Sequence, residues 1–249
     1  VKIALMDSGI GLLPAAAAVR RLRPDADLVI SSDPDGMPWG PRTPQDLTER
    51  ALAASVHALP ALRALLEPGL PVIGTVPAIK PAASGGGPFT IWATPATTGS
   101  PYQRGLIEEF AGGVAVTEVP CWGLAEAVEH ADDAAIDAAI AAAAALTPAD
   151  VRTVVLGCTH YELVAERIRA AVQQPGRPPL VLHGSAGAVA AQALRRIGEL
   201  PKPEADWTGA TLTVILSGRE GPLPAPALAY AEGALLRTTA PVPAAHPEQ

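Results

Sequence analysis

Cys158 stands two residues before His160 in VRTVVLGCTHYELV, residues 151 to 164, directly after an apolar run. A thiol just past a strand, with an imidazole where a helix is expected to begin, sits where the helix N-terminus and a neighbouring base both favour the thiolate. Such a group can take a proton or return one. The same residues also fit a quieter role, a buried cysteine beside a histidine that caps or packs the helix. Asp7, in LMDSGIG, offers a carboxylate with the Ser8 hydroxyl and flexible backbone beside it. It could orient an ammonium group or hold a thiol, or it could form an Asx turn ahead of a helix. DSGIGLLP lacks both the G-x-G-x-x-G spacing and a Walker lysine, so neither phosphate loop is expected. Glu129 and His130 fall near the end of a helix that opens after VPCW, with Cys121 near its start. That position separates Cys121 from Cys158 in role, and Cys121 and Trp122 read as packing residues. Trp39 and Gly40, in DGMPWGPRTP, belong to a loop that could wall a pocket or simply pack on the surface. Cys121, Cys158 and His160 lack a convincing fourth ligand, so no metal is expected.

These residues need strands to end beneath them. Short apolar runs at 2–6, 27–31, 71–75, 89–94, 114–119, 153–157, 180–184 and 211–217 alternate with helical patterns. Helices are expected at 12–23, 43–66, 100–111, 122–130, 132–146, 160–173, 186–197 and 225–237. Thr43-Pro44 and Ser100-Pro101 each read as an N-cap followed by proline at the first helical position. The pattern is α/β, with mostly parallel strands covered on both faces. In such folds ligands bind in the crevice outside the carboxyl ends of the strands. Asp7 to Gly9, Thr94 to Ser100 and Cys158 to His160 all follow strands. The proline- and glycine-rich PAIKPAASGGGPF, 77 to 89, suggests a crossing between two lobes: residues 1–88 with 200–249, and residues 89–199.

Composition narrows the classes further. The chain has 249 residues, 49% hydrophobic and 17% charged, with a net charge of -7. It can fill a core, and it offers no basic surface for nucleic acid. The apolar start VKIALM is too short for a signal sequence or a membrane span, and AAIDAAIAAAAAL, 134 to 146, reads as a soluble helix. No membrane association is expected, and the two cysteines read as free thiols in a reducing cytoplasm.

Taken together, DSGIG (7–11), PWGPRTPQDLTERAL (38–52), ATPATTGSPYQ (93–103), PCWGLAEAVE (120–129) and LGCTHYELV (156–164) resemble the cofactor-independent aspartate/glutamate racemase family, its glutamate racemases most of all. The resemblance implies two Rossmann-like α/β lobes with mainly parallel sheets and an active site in the cleft between them. It implies interconversion of L- and D-glutamate by thiol-based proton transfer, supplying D-glutamate for peptidoglycan, with no cofactor, a small acidic amino acid as ligand, and a homodimer. Cys158 would be one catalytic acid/base with His160 as its partner, and Asp7 and Glu129 the assisting carboxylates. Ser8, Trp39 (where the family usually has tyrosine), Gly40, Thr97 and Thr159 would hold the substrate. Where the family has Asp-Ser before the helix near 186, this chain has His183-Gly184-Ser185.

The family's other catalytic cysteine, in a Cys-Asn-Thr-Ala segment after the third strand, has no counterpart in the sequence. The chain runs from LTERALAAS into VHALPALRALL with no apolar strand between, and Pro60 implies that a new helix begins near 57–59. Between consecutive helices of this fold a strand and its loops, about 15–20 residues, are expected. Either the sequence omits that segment or the protein has lost it. In the second case the readings become a single-cysteine decarboxylase or isomerase of the same superfamily, or a relative that binds an acidic amino acid or a protein without turnover.

Overall fold

The structure, a computed structural model, describes residues 1–37 and 69–238. In chain order these form β1 (Lys2–Met6), α1 (Leu13–Leu22), β2 (Asp27–Ser32), α2 (Ile79–Ser84), β3 (Phe89–Ala93), α3 (Pro101–Phe110), β4 (Val116–Pro120), α4 (Leu124–Glu129), α5 (Asp133–Leu146), β5 (Thr153–Leu156), α6 (Ala165–Val172), β6 (Val181–His183), α7 (Ala186–Arg196), β7 (Leu212–Leu216), β8 (Arg219–Glu220) and α8 (Ala231–Thr238). Short 3-10 turns precede several helices, notably Ile10–Leu12 before α1 and Thr159–Val164 before α6. The expected helices at 12–23 and 160–173 therefore each begin as a tighter 3-10 turn. The helix expected at 43–66, its Thr43 cap and Pro60 lie outside the described residues.

Two sheets make the two lobes. The first has the order β1-β2-β7-β8, parallel except for the antiparallel β7-β8 pair; the second, β4-β3-β5-β6, is parallel throughout. Alternation along β3 divides the second sheet's packing. Trp92 faces the main core, which also takes Leu28 and Ile30 of the first sheet, while Phe89 and Ile91 face a smaller core under α2. The helices α7 and α8 both pack on α1, so the second lobe's last helix braces the first. Arg20 of α1 is buried and spends its guanidinium on the carbonyls of Pro24, Ala26 and Thr211 at 2.8, 2.7 and 3.2 Å. Those bonds fix α1 to the start of β2 and to the chain entering β7.

Three expectations need correction. Residues 71–75 form no strand. Pro71 and Pro77 flank the stretch and carry no N–H for a ladder, and Thr75 turns its hydroxyl to Ser185 at 2.9 Å instead. The strands are not all covered on both faces: Ile3 and Leu5 pack on the core, but Lys2, Ala4 and Met6 on the other face of β1 stay exposed. No helix was expected within 77–89, yet Ile79–Ser84 is helical and buries Ile79 and Ala82 against the second sheet. Proline falls there at the third helical residue, where its missing N–H has no intrahelical partner to lose. No helix among the described residues is long and apolar enough to cross a membrane.

Candidate active site

The carboxyl ends of β1 and β5 meet through their following turns, since Ile10–Leu12 packs against Thr159–Val164. Asp7 is the first residue past β1. Its Oδ1 accepts from the Ser8 amide at 2.6 Å and the Ser8 hydroxyl at 3.1 Å, and its Oδ2 accepts from Thr159 Oγ1 at 2.9 Å. Its oxygens are taken by the next residue's amide and hydroxyl and by Thr159, and the Asx turn to the amide two residues on does not form. A carboxylate of the first lobe holds a hydroxyl of the second.

Cys158 follows β5, partly exposed, with its Sγ 3.7 Å from Nδ1 of His160. The other ring nitrogen, Nε2, lies 2.7 Å from Oε2 of Glu129, the last residue of α4. The same Oε2 accepts from the Ile10 amide at 2.8 Å. Burial alone would push the imidazole pKa down; hydrogen bonds to Cys158 and Glu129, with the nearby Asp7 charge, outweigh it and hold the pKa well above its ordinary value. A proton on both ring nitrogens would let His160 give one N–H to sulfur and one to the carboxylate.

Two glycines make the approach of the lobes geometrically possible. A Cβ on Gly9 would fall among the Glu129 carboxylate atoms, 2.6 Å from Cδ. One on Gly11 would sit 2.8 Å from His160 Nδ1 and 3.0 Å from Asp7 Oδ2. The glycines of DSGIG leave room for the opposite lobe's side chains, a closer fit than the flexibility first read from them.

Thr97 lies in the turn after β3, its hydroxyl 3.1 Å from that of Thr94. Glu118 of β4 braces this turn by accepting from the Gly99 amide at 2.9 Å and from the buried Gln103 side chain. Ser100 caps α3 as expected, accepting from the Gln103 amide at 3.2 Å. Trp39 and Gly40 lie outside the described residues. Cys121 is a packing residue, 1% exposed, and burial pushes its thiol up to about 12. Trp122 is not one: it stands 72% exposed beyond β4. Sequence reasoning missed Glu118 and Glu162; a carboxylate inside a strand and another inside the Cys-Thr-His-Tyr turn were the available signals.

Residues 15–191 match the family model described as Asp/Glu/Hydantoin racemase. The chain belongs to that family. Among its relatives, the glutamate racemase of Roseiflexus sp. (strain RS-1) is 35% identical over 192 residues, spanning 68% of this chain and 70% of the relative. That of Sphingopyxis alaskensis is 31% identical over 256 residues, spanning 91% and 92%. Among solved structures, Escherichia coli glutamate racemase in complex with L-glutamate and the activator UDP-MurNAc-ala superposes with a TM-score of 0.76 at 25% identity, covering 96% of this chain and 95% of that one. This racemase-family enzyme thus has the expected fold of two α/β lobes; bonds bring together Asp7, Ser8, Glu129, Cys158, Thr159 and His160, while the Thr97 hydroxyl bonds within its own turn.

Proposed function

We propose that the chain interconverts L- and D-glutamate without a cofactor in the cytoplasm, supplying D-glutamate for peptidoglycan, with Cys158 transferring the α-proton on one face of the substrate. The observation that carries this reading is the continuous relay Cys158, His160, Glu129, with the Asp7–Thr159 bond beside it. Removing an α-proton leaves a planar anion, and orientation together with fixed charges must replace an electron sink. The Nδ1 of His160 faces the sulfur at 3.7 Å, where it can accommodate charge as Cys158 gives up or takes a proton. Ser8, Thr97 and Thr159 offer hydroxyls for the substrate's carboxylates and ammonium, and Trp39 and Gly40 complete that set.

Racemisation also needs an acid or base on the opposite face. Cys121 cannot serve, being buried with its thiol pushed up to about 12. The second thiol then comes from the strand and loop that the sequence lacks near residues 54–56. The scarcity of thiols also favours a second reading, a Cys158 that protonates a carbanion alone, as in single-cysteine decarboxylases of the superfamily.

The test is proton NMR of L- and D-glutamate with the enzyme in D₂O, with the two enantiomers separated by chiral chromatography, beside Cys158→Ala. Loss of the α-hydrogen signal with both enantiomers appearing supports the racemase, and the variant should be at least about 10³-fold slower. No exchange with either enantiomer, or exchange unaffected by Cys158→Ala, overturns it; CO₂ release from a malonate-type acid would favour the second reading.

A further inference from the structure

Glu162 sits in the 3-10 turn that carries Thr159 and His160, four residues past Cys158, and its carboxylate leaves that turn altogether. Oε1 accepts from the Ser185 amide at 2.7 Å, the Ser185 hydroxyl at 3.0 Å and the Ala186 amide at 3.1 Å. Ser185 occupies the N-cap position of α7 but makes no cap bond with its own side chain. The first donors of α7 are instead satisfied by a carboxylate from another element. The Ser185 hydroxyl in turn accepts from Thr75 at 2.9 Å, drawing a third stretch of chain into the same set of bonds.

The space for this carboxylate exists because residue 184 is glycine. A Cβ there would fall 2.5 Å from Cδ of Glu162. His183-Gly184-Ser185 brings no carboxylate of its own, so Glu162 occupies the space and performs the capping. A 3-10 turn has poor internal hydrogen-bond geometry and depends on outside anchors. Here Thr159 is held by Asp7, His160 by Glu129, and Glu162 by α7, the helix that packs on α1.

We propose that Glu162 is a positioning residue that fixes the turn behind Cys158 against the N-terminus of α7, and that Gly184 is its obligate partner. The proposal takes Cys158 as the reacting group from the reading above, but its test reads the thiol directly. Glu162→Ala, Glu162→Gln, Gly184→Asp and the double variant Glu162→Ala/Gly184→Asp are compared with the unmodified protein. The readouts are the rate of Cys158 alkylation by iodoacetamide, located by peptide mass, α-hydrogen exchange of glutamate, and Tm.

With Glu162→Ala the sulfur loses its fixed contact with the His160 N–H, and alkylation of Cys158 should slow by about three- to tenfold. Glu162→Gln, which keeps one acceptor, should lie between. Gly184→Asp alone should be at least as impaired, because two carboxylates then compete for one space. The double variant should return to within about twofold of the unmodified protein, a non-additivity expected only of residues in contact. Independent effects that multiply in the double variant overturn the proposal. So does a Glu162→Ala or Glu162→Gln protein whose Tm falls while Cys158 alkylates at the original rate, since Glu162 would then be a helix cap and nothing more. If the unmodified protein shows no exchange, the racemase reading fails, and the alkylation rates still decide the role of Glu162.

Discussion

His160 is buried between a sulfur and a carboxylate, and that placement has a measurable signature. Its folded pKa is raised above the ordinary 6.5. A group shifted in this direction contributes stability that is fully present below the unfolded pKa and is lost as pH rises through the folded value. Tm should therefore decline as pH rises above about 6.5, and Glu129→Gln should flatten that decline while slowing glutamate turnover by about 10- to 100-fold. An unchanged slope in the variant would mean that Glu129 does not hold the His160 proton. Cys121 gives a second residue-level expectation: with its thiol up at about 12 and 1% exposed, it should resist iodoacetamide in the native protein at pH 8 while Cys158 reacts. Labelling of both before denaturation would contradict the burial. Cys158 and His160 were legible in the sequence because they follow an apolar run just past a strand; Asp7 and Glu129 took their expected roles from the family motifs. Glu162 was not, because its partners are backbone amides 23 and 24 residues away and no local spacing announces them.

At the scale of elements, the β1-to-α1 turn is what lets the lobes approach. Gly11→Ala would drive a methyl group toward His160 Nδ1 and Asp7 Oδ2. Overpacking of this kind costs about 1–3 kcal/mol, and here it would part the two turns. Turnover should fall at least about tenfold, with a lower Tm in thermal denaturation; a variant with full activity would show that the turns can separate without consequence. Most elements were legible from hydrophobic period and capping residues, as at Ser100, which accepts from the amide of Gln103. The 71–75 stretch misled because its apolar run is strand-like while the flanking prolines remove ladder donors. The α2 helix was obscured for the opposite reason: a proline inside its first turn looks like punctuation.

For the whole molecule, the decisive quantity is the number of thiols that can reach the substrate. The sequence has two cysteines, of which Cys121 is buried and Cys158 partly exposed. Two-base racemisation therefore predicts an intact mass above 25.4 kDa, by roughly 1.5–2 kDa for a strand and loop of the size the fold requires. A mass equal to that of the sequence would leave Cys158 to act on one face only, and α-hydrogen exchange should then proceed without inversion.

The shared acceptor on Glu129 makes one carboxylate answer to both lobes at once. One oxygen receives the Ile10 amide from the first lobe and the His160 ring from the second. Glu129 and His160 share the second lobe, so opening the cleft breaks the Ile10 bond and leaves the His160 bond in place. The second lobe thus carries its imidazole–carboxylate pair ready-made through ligand entry and exit, and the first lobe's turn is the part that lets go.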